Sequence, residues 1–491
     1  MEEHEEQAMK IFITGATGFI GRALVPRLLR DGHQLSCWVR DAARARASLG
    51  AEAELVSAEG GAQALRRAVA GADAVVHLAG ENLFAGRWSA ARKRALVASR
   101  VGLTEQLVAA IEASDARPRV LVSASAVGYY GDRGDEELDE QSAPGDDFLA
   151  DLVQRWEAAA LRAESLGLRV VLPRVGIVLG ADGGALKRLL PLFRLGLGAR
   201  LGSGRQQVSW IHLRDMVEVL VTALRDQRYS GAINAVAPAA VSNAELTAVL
   251  ARVVQRPALL WAPALALRAL LGEAADALLG GQRARPALLE RLGFHFRHPE
   301  LEGALRAVTW VDPALQIGRV TAAPPELSAV GRPQLLLQQE TVVPAPLEEV
   351  FAYFSQAQNL GAITPADMAF QILGAPPEKM SQGTVIDYRI KLGPLPMRWR
   401  TVIDVWEQGR RFVDRQARGP YKLWWHEHSF VADGRETLMR DRVYFSAPLG
   451  PLGWIAQRLF IRGTLRRIFS YRAEMIALRF GGAPRAQRQV A

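Results

Sequence analysis

The segment ITGATGFIG at residues 13–21 constrains the fold of this chain more than any other part of the sequence. It follows a short apolar run and precedes a helical pattern, and its glycines have the spacing GxxGxxG. Glycines in this context permit a tight turn, a close approach of backbone amides to a pyrophosphate, and tight packing of helix against strand. The helix N-terminus adds N–H donors and a partial positive charge. We therefore predict a dinucleotide site formed by Gly15, Ala16, Thr17, Gly18, Phe19, Ile20 and Gly21.

Apolar strand-like runs alternate with helical patterns through the first half of the chain. Strands are predicted in KIFITG, QLSCWVR, ADAVVHLAG, RVLVSAS, RVVLPRVGIVLG and GAINAVAP. Such alternation is typical of a doubly wound parallel sheet with helices on both faces. The fold class predicted for residues 9–245 is therefore α/β of the Rossmann type, and the mainly helical residues 246–308 follow it as a C-terminal cap.

The residue after the second strand bears on the choice of dinucleotide. NAD-selective sites place an acidic residue there, on the ribose hydroxyl, whereas this chain has Arg40. A guanidinium suits the 2′-phosphate of NADP(H). Asp41 follows directly, and it either restores a preference for NAD(H) or caps the next helix. NADP(H) is the predicted cofactor, and NAD(H) is the less favoured one.

A different pattern begins after residue 308. Residues 309–333 are rich in Pro, Ala and Gly without clean periodicity, which predicts an interdomain linker. Residues 334–482 show a strand, a helix, several strands and a long terminal helix, so we predict a separate α+β domain there. The two ends, residues 1–8 and 483–491, are predicted to be disordered tails.

The composition of the chain limits the cellular compartments and the classes of binding partner that can be expected. The single cysteine, Cys37, excludes a disulfide framework, and the acidic N-terminus resembles neither a signal peptide nor a transit peptide. The apolar stretches are interrupted by Arg and Pro before they reach the length of a bilayer span. The net charge of +9 comes from arginines spread along the chain, which does not indicate a nucleic-acid partner. We expect a cytoplasmic protein without a transmembrane segment, and no pattern specifies its oligomeric state.

Several longer motifs, HLAGENL, SASAVGYYG and GAINAVAPAAVSN among them, follow the glycine loop in order. Together, residues 9–308 resemble the extended short-chain dehydrogenase/reductases, and more closely the epimerase-family branch often labelled cell-division inhibitor. The resemblance implies that Arg174 follows the strand beside the nicotinamide and that Ser125 is the catalytic hydroxyl, with a serine-rich turn as the alternative. It also implies that four residues after the fourth strand border the cofactor. These are His77, Leu78, Ala79 and Gly80.

The chain departs from that superfamily at the proton relay. There a tyrosine and a lysine four residues later exchange the substrate proton, and the corresponding positions here are Leu149 and Val153. Either Tyr129 or Tyr130 takes the acid/base role, or the fold binds its nucleotide without rapid turnover. Each tyrosine is otherwise an aromatic wall of the pocket.

Two polar segments are candidates for the substrate side. GENLFAGRWSAARKR follows a strand end, where an open α/β sheet builds its ligand crevice, and its charges suit an anionic substrate. A solvated amphipathic helix explains the same charges. The second segment is GSGRQQVSWIH. The candidate residues are Glu81, Arg87, Lys93, Arg205, Trp210 and His212.

The order of elements in residues 334–482 resembles helix-grip proteins such as polyketide cyclases, START-like lipid-transfer proteins and coenzyme Q-binding proteins. That resemblance implies an apolar cavity for a hydrophobic ligand. The strand KLWWHEHSF alternates, so Trp424, His426, His428 and Phe430 share one face. Two histidines fit zinc, but the sequence shows no third ligand at a sensible spacing, so no metal is predicted.

The basic amphipathic stretch at residues 454–480 is expected to pack its apolar face inside that grip, with an anionic membrane surface as the alternative. Together, these features predict an NADP-dependent oxidoreductase or epimerase-like enzyme for a small carbonyl compound or alcohol, with a second domain that holds a hydrophobic ligand. The alternative is a sensor or scaffold that binds NADP(H) without turnover and carries a lipid-like ligand.

Overall fold

The structure, a computed structural model, describes residues 8–309, 315–377, 379–392, 395–448 and 461–481. The chain divides into two compact units, the first formed by residues up to Arg40 and by Glu54–Thr309, the second by Asp41–Ala53 and the residues from 310 on. The tails predicted at 1–8 and 483–491 lie, apart from Ala8, outside the described residues.

Short strands and helices alternate up to Thr309. The strands are β1 (Lys10–Thr14), β2 (Gln34–Val39), β3 (Glu54–Ser57), β4 (Ala74–His77), β5 (Val120–Ser123), β6 (Ser125–Ala126), β7 (Glu137–Leu138), β8 (Arg169–Val175), β9 (Ile177–Leu179), β10 (Ala199–Leu201), β11 (Gln207–Val208), β12 (Trp210–His212), β13 (Gly231–Ala235), β14 (Val241–Ser242), β15 (Leu260–Ala262) and β16 (Arg283–Ala284). The helices are α1 (Phe19–Arg30), α2 (Ala42–Leu49), α3 (Gly61–Val69), α4 (Ala90–Val97), α5 (Leu103–Glu112), α6 (Phe148–Leu161), α7 (Leu186–Arg194), α8 (Leu213–Arg225), α9 (Asn243–Val253), α10 (Ala264–Leu271), α11 (Asp276–Leu279), α12 (Ala287–Arg291) and α13 (Leu301–Thr309).

One parallel sheet organises the first unit. Its strand order is β13-β8-β5-β4-β1-β2-β3, and the two-residue β6 also pairs with β8. The central strands are buried on both faces, which is why they read as continuous apolar runs such as Ala74–His77. From β1, the strands β2 and β3 follow toward one edge of the sheet, and from β4, the strands β5, β8 and β13 follow toward the other edge. The direction of strand order therefore reverses between β1 and β4. The predicted doubly wound α/β fold is confirmed.

Residues 246–308, predicted as a helical cap, contain most of α9, all of α10 to α12 and all of α13 except its last residue, with the short β15 and β16 between them. Helices α9 and α13 form a core of their own with α7. Its apolar side chains include Leu190, Leu246, Leu250, Leu301 and Leu305.

The second unit is built on one antiparallel sheet. Its strands are β17 (Gln316–Arg319), β18 (Leu335–Val343), β19 (Gln371–Ile372), β20 (Val385–Leu392), β21 (Leu395–Glu407), β22 (Arg411–Arg418), β23 (Leu423–Asp433) and β24 (Glu436–Ser446). They lie in the order β17-β18-β24-β23-β22-β21-β20-β19. Among the described residues from 315 on, the α-helices are α14 (Leu347–Phe354) and α15 (Arg462–Phe480). The strand and the helix predicted at the start of this region are therefore observed.

The segment predicted as a linker differs from that expectation. Where the structure describes it, residues 316–319 form β17, which pairs with β18 at the edge of the sheet. Leu315 is buried and Ile317 is partly buried in the core of this unit. The burial of these apolar side chains explains why the segment is ordered despite its Pro and Gly content.

Helix α15 places its apolar side on the sheet core, as expected for the part of the terminal stretch that the structure describes. Its buried residues include Leu465, Phe469 and Ile476, which pack with Phe351 of α14. None of the described helices has the length and apolar content that a bilayer span requires.

Candidate functional site

The glycine loop lies between β1 and α1, at the point where the strand order of the sheet reverses. Open α/β sheets bind ligands at this place. Gly15 has a φ of +75°, and a Cβ there would lie 2.6 Å from the backbone carbon of Leu78. A Cβ on Gly21 would collide with the carbonyl oxygen of Gly15. Only glycine fits both positions, so the backbone of the loop is open to a ligand in the way that a pyrophosphate requires.

The start of α1 supplies donors beside this loop. The Gly18 N–H donates to the Gly15 carbonyl at 2.9 Å, and the Arg22 N–H makes the first helical bond, to Gly18, at 3.0 Å. Helix geometry offers no acceptor to the amides of the first turn. These amides belong to Phe19, Ile20 and Gly21, and they are the donors that would hold the phosphates of a dinucleotide.

Arg40 is exposed directly after β2, at the position the sequence assigned to the ribose. The neighbouring Asp41 caps α2, because its carboxylate accepts from the Arg44 N–H at 2.9 Å. Of the two roles considered for Asp41, the structure therefore gives it the capping role.

His77 ends β4 with its side chain fully enclosed. Thr14 Oγ1 lies 2.6 Å from Nδ1 and Thr104 Oγ1 lies 3.0 Å from Nε2. Burial lowers the pKa of His77 to about 4, so the ring is neutral at pH 7. The next residues, Leu78 and Ala79, are partly buried and meet the glycine loop, whereas Gly80 is exposed.

The segment after β4 forms a small charged cluster. Glu81 accepts from Arg92 at 2.6 Å, and the Arg100 guanidinium donates to the Glu81 carbonyl at 2.9 Å. Burial and the nearby Arg92 lower the pKa of Arg100 to about 10. Lys93 pairs with Glu273 at 2.5 Å, and Arg87 is exposed. The three predicted residues therefore do not form one cluster. Arg92 and Arg100 contact Glu81, whereas Lys93 pairs with Glu273 and Arg87 is exposed.

Ser125 opens β6 and is buried against a carboxylate of α6. Its hydroxyl donates to Glu157 Oε1 at 2.5 Å. The same carboxylate binds Arg174 in a bidentate pair, with 2.8 Å from Nε to Oε1 and 2.9 Å from Nη2 to Oε2. Arg174 lies within β8 rather than after it, and its guanidinium is committed to Glu157.

The two neighbouring tyrosines have different environments. Tyr130 is fully buried, and its hydroxyl donates to Asn234 Oδ1 at 2.7 Å and accepts from Arg174 at 3.0 Å. Burial raises the pKa of Tyr130 to about 12. Tyr129 is only half-buried, and the Arg174 guanidinium lies 3.4 Å from its ring centroid. Of the two, Tyr129 is the one whose position leaves it open to a substrate.

Helix α6 carries the residues at the usual relay positions. Val153 is buried, and Leu149 is partly buried in an apolar cluster that includes Trp156. Neither side chain titrates.

The second predicted substrate segment has mixed positions. Arg205 is exposed, but Trp210 is buried in the core and donates from Nε1 to the Ala239 carbonyl at 3.0 Å. His212 caps α8, and its ring lies 4.0 Å from that of His298 between centroids. Burial lowers the pKa of His212 well below its usual value. Trp210 and His212 thus have packing and capping roles, which differs from the expected substrate role.

The second unit encloses a cavity of about 140 Å³ between α15 and the sheet. Its wall is mostly apolar and includes Phe354, Trp399, Trp424 and Ile468. The alternation predicted for β23 is confirmed: Trp424, His426 and His428 line the cavity, whereas Trp425 belongs to a cluster on the opposite face of the sheet.

The polar part of this wall is a cluster that the sequence did not reveal. The rings of His426 and His428 lie 3.8 Å apart between centroids with a tilt of 41°, and Asp414 of β22 and Asp441 of β24 flank them. Burial would raise the pKa of both carboxyl groups, but the histidines outweigh it and hold each pKa well below the usual range. The pairing register, Asp414 opposite His426 and Asp441 opposite His428, creates the cluster from residues far apart in sequence.

Comparison with known proteins gives the relationship of the chain. Residues 11–235 match the model of the NAD dependent epimerase/dehydratase family, and residues 262–308 match a domain of unknown function, DUF1731. The chain is 42% identical over 308 residues to the chloroplastic epimerase family protein SDR39U1 homolog of Arabidopsis thaliana, covering 62% of this chain and 88% of that protein. It is 45% identical over 300 residues to epimerase family protein Mb2239 of Mycobacterium bovis, covering 61% and 97%.

A solved structure is similar as well. The crystal structure of human epimerase family protein SDR39U1 with NADPH has a TM-score of 0.56 to this chain and 34% sequence identity. The similarity covers 61% of this chain and 99% of the human one.

Proposed function

Since the chain belongs to the NAD dependent epimerase/dehydratase family, we propose that it is an NADP(H)-dependent oxidoreductase or epimerase-like enzyme for a small carbonyl compound or alcohol. The observation that carries this proposal is the glycine loop, which meets the end of β4 at the strand-order reversal and admits no side chain at Gly15 or Gly21. The human relative that was crystallised with NADPH supports the choice of dinucleotide.

In this proposal the loop and the first turn of α1 bind the pyrophosphate, and the exposed Arg40 binds the 2′-phosphate. The bound nicotinamide supplies hydride transfer. Ser125 and Tyr129 are the proposed catalytic hydroxyls. Tyr130 and Arg174 are proposed to have a structural role, because Tyr130 hydrogen-bonds Asn234 and Arg174 pairs with Glu157.

Titration of the full chain with NADPH and NADH tests the cofactor. We expect NADPH to bind at least tenfold tighter, and Arg40→Asp to remove that difference, because a carboxylate repels the 2′-phosphate and accepts from the ribose hydroxyl. Arg44→Asp is the matched control, since it changes charge nearby on α2. Equal affinity for both dinucleotides in the unmodified chain would refute the assignment of Arg40.

A second candidate function rests on Leu149 and Val153, which cannot relay a proton. In it, the fold binds NADP(H) as a sensor or scaffold without turnover. Deuterium-labelled NADPH, incubated with a panel of small carbonyl compounds, separates the two: an enzyme transfers deuterium, and loses this on Tyr129→Phe with NADPH affinity retained. The absence of transfer to any compound, with tight NADPH binding, would favour the sensor.

For the second unit we propose a helix-grip domain, similar to polyketide cyclases and START-like proteins, that holds a hydrophobic ligand. The apolar cavity between α15 and the sheet supports it. An apolar fluorescent probe, such as a polyene fatty acid, tests the proposal with two variants of α15. Ile468→Gln puts an amide into the cavity wall and should weaken binding about tenfold or more, whereas Arg466→Gln, which is exposed, should not change it. Equal binding by both variants would count against the cavity as the site.

A further inference from the structure

The geometry points to a metal site in the second unit: Asp414, His426 and His428 bind one divalent transition-metal ion at the wall of the apolar cavity. All three side chains line that cavity. They come from two adjacent strands, β22 and β23, and each offers one ligand atom, with all of these atoms within 4.8 Å of one another. Two imidazoles and one carboxylate form a common ligand set for Zn²⁺ and for non-haem Fe²⁺.

The distances suit coordination. Asp414 Oδ2 lies 3.3 Å from His426 Nδ1 and 3.1 Å from His428 Nε2. Ligand atoms bound tetrahedrally at about 2.0–2.2 Å from an ion are about 3.3–3.6 Å apart. The two distances from Asp414 to the histidines are therefore within a few tenths of an ångström of those in a tetrahedral site, and all three ligand atoms lie within 4.8 Å of one another.

Asp441 supplies the support that metal-binding histidines usually have. Its Oδ1 lies 2.9 Å from His426 Nε2 and 2.8 Å from His428 Nδ1, on the side of the rings away from Asp414. A carboxylate on the second nitrogen of a histidine fixes the tautomer and directs the other nitrogen toward a metal. Asp441 does this for His426, whose Nε2 it hydrogen-bonds, whereas its 2.8 Å contact with His428 Nδ1 is an ion-pair contact without the alignment of a hydrogen bond.

Some polar atoms in and beside the cluster are left without a hydrogen bond. Within the described residues, His428 Nδ1 and Asp441 Oδ2 are buried without a hydrogen bond, and so are Nε and Nη1 of Arg472, whose guanidinium lies 3.6 Å from Asp441. A histidine that coordinates a metal is neutral, so in the metal-bound site two carboxylates and one guanidinium leave one negative charge for the ion to offset. An uncompensated buried charge is costly, and a divalent cation offsets it.

Three protein ligands leave a coordination position open toward the cavity. An apolar ligand with a carbonyl, carboxylate or hydroxyl oxygen fits both the wall and that position. This step rests on the proposed role of the cavity, whereas the metal site itself does not.

Metal binding by the tag-free full-length chain tests the inference. The chain is treated with a chelator, dialysed, and titrated with Co²⁺, followed by visible absorption and by elemental analysis. We expect one Co²⁺ per chain, displaced by Zn²⁺. Both His426→Ala and His428→Ala should bind at least a hundredfold more weakly, and Asp414→Asn at least tenfold more weakly. The matched control is His295→Ala, an exposed histidine of the first unit, which should bind as the unmodified chain does.

Binding of NADPH by each variant shows whether the first unit is intact, so that failure of the metal site and failure of the cofactor proposal are distinguishable. If the histidine variants do not fold, Asp414→Asn, which keeps the shape of the side chain, decides the matter. A chain that takes up no stoichiometric Co²⁺, or an Asp414→Asn variant that binds it with unchanged affinity, would overturn the site in favour of a metal-free ion-pair network.

Discussion

Glu157 joins two strands through one buried carboxylate, since it accepts from Ser125 of β6 and forms a bidentate pair with Arg174 of β8. Glu157→Gln removes the charge and leaves the Arg174 guanidinium buried without its counterion. Breaking a buried pair in this way costs about 3–5 kcal/mol. We expect a loss of this size in the free energy of unfolding of the first unit, measured in urea by hydrogen exchange of the β8 amides.

Glu302 provides the comparison for Glu157. It pairs with Arg306 and Arg252 on the protein surface, where an ion pair contributes about 0–1 kcal/mol. Glu302→Gln should therefore change stability little. Equal losses for the two variants would mean that burial of the Glu157 pair has no special weight.

At this scale, the sequence predicts residues whose requirement is local. The need for glycine at positions 15 and 21 is predictable, because the turn and the close backbone contacts that exclude a side chain there involve mostly residues nearby in the sequence. The sequence does not predict that Glu157 pairs with Arg174, because the helix and the strand that carry them come together only in the folded structure. For the same reason the sequence showed two histidines on β23 but not Asp414 or Asp441, which register alone brings beside them.

Among the elements, helix α1 depends on the loop before it. Gly21 lies in its first turn, where a Cβ would collide with the Gly15 carbonyl and lie 2.6 Å from the Ala16 carbonyl. Gly21→Ala should therefore push α1 away from the loop, with a loss of about 1–3 kcal/mol in unfolding free energy. We expect NADPH affinity, measured by calorimetry, to fall at least tenfold, because the same shift moves the first-turn amides.

Gly303 is the matched control for Gly21, since it lies inside α13 with open space at its Cβ position. There the change to alanine should stabilise the helix by about 0.5–1 kcal/mol and leave NADPH binding unchanged. A Gly21→Ala variant that binds NADPH as tightly as the Gly303→Ala variant would contradict the packing argument.

Periodicity explains which elements were predictable. A strand has a side-chain period of two, so the faces of β23 follow from its letters, and the parallel strands follow from their apolar runs. Strand β17 has no such pattern, because only Leu315 and Ile317 pack inward over a short edge segment. Composition alone made that segment resemble a linker.

At the scale of the whole molecule, burial keeps His77, His212 and His298 neutral among the described residues of the first unit. The pKa of His77 and that of His298 are lowered to about 4, and that of His212 is lowered well below its usual value. For His298, the charges of Arg214 and Arg297 add to burial. In the unfolded chain each histidine binds a proton near its usual pKa of 6.5.

The unfolded state therefore binds more protons than the folded state between pH 6.5 and about pH 4, so the free energy of unfolding must fall as the pH is lowered through this range. Each histidine contributes a slope of up to about 1.4 kcal/mol per pH unit. Replacing His77 with Asn should lower stability at pH 7, since its bonds to Thr14 and Thr104 are lost, but should make the slope between pH 6 and pH 5 about one third shallower.

Hydrogen-exchange mass spectrometry of the β4 and β5 amides in urea, corrected for the intrinsic exchange rate at each pH, measures this slope in the full chain. His295→Asn is the control, because His295 is exposed and should leave the slope unchanged. A slope that is the same with and without His77 would show that another group carries the acid sensitivity of the first unit. A shallower slope would assign it to the histidines that the parallel sheet and its cap bury, and would place the pH response in the packing of the fold rather than in surface charge.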